Sequence, residues 1–208
     1  MLDRSEVGKR GYLNEGFRLF HLKDSRAPKL DYHYHEFDKL ILLLGGRVTY
    51  VVEGVTYFLA AGDVLLVQHN MIHRPTIDPT EPYERVVVWL GREWLADRSD
   101  PNEALDACFH TVRERGFHLL RTSPERRLEY MKDIQRLEEA LRSREFAAGR
   151  LADTLCQQLL IGVNRDILRS RTAQEERDSY RVDPKIEEIL KYIAAHLEEE
   201  LTVESLSK

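Results

Sequence analysis

Cysteine is nearly absent. Cys108 and Cys156 are the two in 208 residues, and their separation matches neither a metal cluster nor a redox pair. That excludes a disulfide framework and points to buried thiols in a reducing compartment. No apolar run approaches the roughly 18 residues of a membrane span, and the first ten residues are polar rather than a secretory leader. A cytoplasmic protein without a membrane partner is therefore expected. An excess of positive charge is missing too. The formal net charge is -5, so composition forecasts no binder of phosphate backbones.

What is present divides the chain in two. Eight of the eleven glycines precede residue 92, and this is where strands are expected. The segment GFRLFHL alternates, and LILLLGGRVTYVVEGVTYFLAAGDVLLV is a set of apolar runs broken at Gly45-Gly46, Glu53-Gly54 and Gly62-Asp63. Glycine at such breaks permits the positive φ of tight hairpins, and ERVVVWL adds a closing strand. Short strands at this spacing predict a small β-barrel over 1–96.

From about Asp97 the period becomes helical. Ser123-Pro124-Glu125 supplies a cap, a first-turn proline and an acid for a helix with Leu128, Met131, Ile134, Leu137 and Leu141 as its stripe. A second helix follows Gly149. Its face of Leu151, Leu155, Leu159, Val163 and Ile167, widened by Leu160, Ile161 and Leu168, exceeds what one neighbour covers, and this predicts an antiparallel hairpin over 97–171 that forms a homodimer. Packing of the hairpin on the barrel is the alternative. Residues 172–182 read as a linker. Residues 183–208 open with Asp183-Pro184, continue as an amphipathic helix, and stop inside a further helix start, as a truncated fragment would.

The stretch YHYHEFDKL raises the question of function. On a regular strand His33, His35, Phe37 and Lys39 share one face, and His73 after a later strand can converge on them. The same parity gives Arg47, Tyr50, Tyr57 and Trp89 as candidate wall residues. Lys39 beside three imidazoles makes a donor-rich pocket suited to an anionic or hydroxyl-rich small molecule. The bland alternative is a lysine at the barrel rim over satisfied histidines.

The run from His33 to His73, followed downstream by DPKIEEILKYIAAHLEEELTVESLSK, resembles AraC-type transcription regulators. The resemblance implies a cupin-like double-stranded β-barrel that senses an effector, a helical dimerisation hairpin, and the first helix of a truncated helix-turn-helix domain. It also implies a regulator rather than an enzyme, with no catalytic residue. DNA would be bound only by residues beyond 208, because 181–208 hold four basic against seven acidic residues. Metal-binding cupins are similar in their three histidines but carry a glutamate where this chain has Lys39. That departure implies a metal-free pocket with no cofactor. If a metal is present, its ligands are His33, His35 and His73. A metal-dependent cupin enzyme, isomerase or oxygenase, and a metal-free binding cupin are the alternatives.

Overall fold

The computed structural model describes residues 8–9, 11–24, 30–100 and 102–170, all within a unit that ends at Arg171. The described residues form ten strands: β1 (Gly8–Lys9), β2 (Phe17–Asp24), β3 (His33–Tyr34), β4 (Asp38–Gly45), β5 (Val48–Val52), β6 (Val55–Leu59), β7 (Val64–Val67), β8 (His73–Ile77), β9 (Tyr83–Leu90) and β10 (Leu119–Leu120). Between β9 and β10 lie α1 (Arg92–Asp97) and α2 (Ala107–Arg115), and α3 (Pro124–Arg142) and α4 (Ala148–Arg169) follow. Two five-stranded sheets, ordered β1-β3-β8-β5-β6 and β10-β7-β4-β9-β2, face each other as a double-stranded barrel. The linker and the helix-turn-helix expected over 172–208 lie outside the described residues.

Turn chemistry sets the registers. Glu53 and Gly54 both take positive φ, 48° and 84°, which is the two-residue turn that matches the twist of the β5–β6 hairpin. At Gly46, φ is +87°, and a Cβ would stand 2.6 Å from the Pro82 carbonyl oxygen. Only glycine fits there, where β4 turns into β5 beneath β9.

The largest apolar cluster lies outside the barrel, between the second sheet and the helices. Leu40, Leu42, Val86, Val88 and Leu90 meet Phe109 and Val112 of α2, Ile134 and Leu137 of α3, and Leu155, Leu159 and Val163 of α4. The sequence LILLL is apolar without alternation for this reason: β4 is covered on both faces, by helices on one and by the barrel interior on the other. In contrast, β5 and β8 alternate because their outer face meets solvent.

The hairpin thus packs on the barrel, and the wide face of α4 serves neighbours within the chain. Leu155, Leu159 and Val163, the dimerisation candidates, are buried in this core, whereas Leu151 is half exposed. On α3 the buried stripe is Tyr130, Ile134, Leu137 and Ala140, and the expected Leu128 and Leu141 stand exposed. Tyr130 replaces Leu128 because its ring covers α4 while its hydroxyl donates to Asp166. Trp94 and Leu95 of α1 are buried core residues. The Trp94 indole N–H donates to Asp153 of α4 at 2.7 Å.

One buried polar residue ties α2 to α4. Asn164 accepts from the Cys108 backbone N–H at 2.6 Å and donates to the Leu105 and Leu160 carbonyls at 2.8 and 2.9 Å. Asn164→Ala is expected to lower the unfolding free energy by about 2 kcal/mol, since it strands buried backbone groups. Urea denaturation measures the loss, and an unchanged midpoint would show that water satisfies them.

Candidate metal centre

Three strands and one loop deliver four side chains to one end of the barrel interior. His33 on β3 lies directly across from His73 on β8, and His73 is flanked on its other side by Val52 of β5. His35 follows β3, and Lys39 on β4 sits between Val67 of β7 and Trp89 of β9. The regular strand expected through YHYHEFDKL is interrupted at residues 35–37, yet His33, His35, Phe37 and Lys39 still converge.

The loop that presents His73 is fastened from three directions. Asp38, whose side chain turns away from Lys39, accepts from the His69 backbone N–H at 2.7 Å and from the His69 ring at 2.8 Å. The Asn70 N–H donates to the His35 carbonyl at 2.7 Å. The Glu53 carboxylate, held out by its left-handed turn, accepts from the Ile72 N–H at 2.6 Å. His69 belongs to this turn, as the sequence suggests.

The three imidazoles are buried, and their ligand nitrogens all lie within 4.8 Å of one another. Nδ1 of His33 donates to the Asp31 carbonyl at 2.7 Å, and Nδ1 of His73 donates to the Met71 carbonyl at 3.0 Å. These bonds fix the tautomers, so Nε2 of each ring presents a lone pair to the interior. Burial, with help from Lys39 and His33, holds His73 well below the usual histidine range, which keeps it neutral and able to ligate.

Lys39 lies across this group. Its Nζ is 2.7 Å from His35 Nε2 and 3.3 Å from His73 Nε2, so it occupies lone pairs that a cation would otherwise take. Aromatic rings wall the site. Phe37 stacks on His35 with centroids 4.6 Å apart and on Trp89 at 4.4 Å, and Phe20 meets the edge of Trp89 at 4.7 Å. Phe37, stacked on His35, also lines a cleft of about 1050 Å³ between residues 11–16 and α1.

The other candidate wall residues are scattered. Tyr50 is buried in the interior, its hydroxyl 3.1 Å from that of Tyr83. Tyr57 is buried beside Phe117 and His118, and its hydroxyl accepts from the His118 backbone N–H. Arg47 is exposed and pairs with Glu81 and Asp78 on the surface. Missing from the sequence reading are the carbonyls of Asp31 and Met71. Backbone acceptors carry no side-chain signal, whereas Phe37 shares the parity of the histidines and is placed with them by it.

A family model described as a cupin domain matches residues 21–89. The barrel is a cupin barrel. Among solved structures, the Cupin 2 conserved barrel domain protein from Salinispora arenicola is 21% identical, with 41% of this chain and 71% of that chain covered and a TM-score of 0.34. An RmlC-like cupin from Shewanella frigidimarina is likewise 21% identical, with 39% and 72% covered and a TM-score of 0.34. No curated protein matches the chain.

These findings correct the expectation of an AraC-type regulator. The matched family is the cupin domain, and the elements that carry the resemblance, His-x-His, Gly-Asp and a later His, are those that build a cupin barrel and a buried imidazole cluster. The DNA-binding and helix-turn-helix assignments fall with it. So do the expectations of no catalytic function and no cofactor, because the ligand set survives the loss of the carboxylate: three neutral imidazoles are themselves a zinc-type donor set, and Lys39 does not displace them. No helix among the described residues is long and apolar enough to cross a membrane.

Proposed function

We propose that this chain is a metal-dependent cupin enzyme in which His33, His35 and His73 hold a divalent transition-metal ion. The observation that carries the reading is the convergence of three buried imidazoles within 4.8 Å, two of them locked by carbonyls with Nε2 turned inward. Imidazole suits zinc, iron, nickel and copper alike. Ideal tetrahedral ligation at about 2.0–2.1 Å draws the nitrogens closer together than the spacing of up to 4.8 Å they have here. Three protein ligands leave open positions for a substrate, as catalytic sites do.

When bound, the ion supplies Lewis acidity to an oxygen donor of the substrate. The chain's own groups do the rest. Lys39 donates hydrogen bonds at the site and orients a substrate against the imidazoles. Phe37 and Trp89 exclude water and present flat apolar walls, and the carbonyls of Asp31 and Met71 keep His33 and His73 from rotating out of alignment.

Elemental analysis of the untagged protein by plasma mass spectrometry, alongside a His33→Ala/His73→Ala variant, tests the reading. About one equivalent of a transition metal in the wild type, lost in the variant, is expected of a three-histidine site. Wild-type protein that neither retains a metal nor takes one up on dialysis would overturn it.

A further inference from the structure

Resting on the metal reading above, we propose that the loaded site selects a carboxylate-bearing ligand, held between the ion and Lys39. The argument starts from two occupants that claim the same atoms. Lys39 Nζ lies within hydrogen-bond distance of Nε2 on both His35 and His73, the lone pairs an ion would use. An ion bound there displaces the amine from them.

The displaced amine has little room to leave. Lys39 is the second residue of β4, paired with Val67 on one side and Trp89 on the other, and the side chain is buried. Its Nζ therefore stays within the same end of the barrel as the ion. Among the described residues, the ligating cluster itself consists of imidazoles, which are neutral when they ligate. A dication and an ammonium side by side, walled by Phe37, Trp89 and Val52, repel each other more strongly than they would in water.

A carboxylate resolves that conflict. One oxygen takes an open position on the ion and the other accepts from the ammonium, so a single planar anion satisfies both cations. Lys39 is then the specificity-determining residue: it opposes the bare ion and favours the ion with its anionic ligand. By linkage, whatever factor the anion adds to metal affinity, the metal adds to anion affinity.

Cobalt(II) titrations followed by visible absorption, with acetate as the probe and ionic strength held constant with nitrate, test this. In the wild-type chain, saturating acetate is expected to tighten cobalt binding about tenfold or more, as a coupling of ordinary size does. Lys39→Met is expected to bind cobalt about tenfold more tightly without acetate, and to respond to acetate less than about threefold, because the opposing charge is gone. Circular dichroism checks that the variant is folded, and the wild-type titration alone decides the first half.

Cobalt binding that is indifferent to acetate in the wild type would overturn the inference and leave the metal reading intact. An unchanged acetate response in folded Lys39→Met would do the same, by removing Lys39 from the coupling. Failure of cobalt to bind the wild type and Lys39→Glu, with and without acetate, would overturn the metal reading and the inference together.

Discussion

Zinc at about a thousand times its dissociation constant is expected to raise the unfolding free energy of the wild-type chain by about 4 kcal/mol, and to do almost nothing for His73→Ala. The gain is mass action: an ion that binds the folded chain and not the unfolded one draws the equilibrium toward the fold. His73 is the ligand to remove because it joins the most constraints, with His33 across from it on β3, Val52 beside it on β5, and its Nδ1 on the Met71 carbonyl. Its loss leaves two imidazoles, which hold an ion far more weakly. Thermal unfolding at several zinc concentrations gives the slope. Eight histidines and two cysteines in the unfolded chain bind some zinc and reduce the effect, so the difference between wild type and variant is the quantity to compare. Equal zinc responses in the two proteins would show that the ion binds elsewhere.

Much of this site was legible in the sequence, and the weight given to one residue decided how it was read. The alternation of His33, His35, Phe37 and Lys39, with His73 after a later strand, identified the residues that converge. A lysine on the histidine face does not by itself exclude a metal, because the three imidazoles remain in place. Sequence places a lysine on the histidine face, but only the structure places its Nζ on the lone pairs of His35 and His73, where it competes with an ion without removing any ligand. The support beneath the ligands was illegible because it is backbone: the carbonyls of Asp31, Met71 and His35 and the N–H groups of His69, Asn70 and Ile72.

The strands were readable because glycine marks their turns, and the helices beyond residue 123 because their apolar period is long. Short elements escaped, β8, β10 and α1 among them. Helix α2 has Cys108, Phe109 and Val112 as its buried face, too short a period to stand out, although Gly116 in the left-handed conformation is an ordinary C-terminal signal. The destination of α4 escaped as well. Periodicity shows that a face is apolar and how wide it is; it does not name the neighbour, and here the neighbours are α2, α3 and the second sheet.

Acidification from pH 6.5 to 5 is expected to cost the fold about 2 kcal/mol through His118 alone. His118 precedes β10 and is 3% exposed, with its ring edge-on to Tyr57 at 6.0 Å and its Nδ1 without a hydrogen-bond partner. Burial pushes the imidazole from its ordinary 6.5 down to about 4, against the smaller upward pull of a hydrogen bond to the Leu66 backbone. Below pH 6.5 the unfolded chain takes up a proton there and the folded chain does not, so the unfolded state binds more protons and stability falls with pH until about 4, where the folded ring also titrates. Burial lowers His73 in the same sense, so the metal-free protein loses further stability over the same range. Burial also raises the Asp63 carboxyl, so the comparison with a variant at position 118, rather than the pH window alone, assigns the slope to His118. Urea unfolding at pH 7, 6.5, 6, 5.5 and 5 measures the slope, and His118→Gln, which cannot take up the proton, is expected to flatten it. A wild-type stability that is constant across this window would mean that water reaches the ring and that His118 titrates as an ordinary histidine.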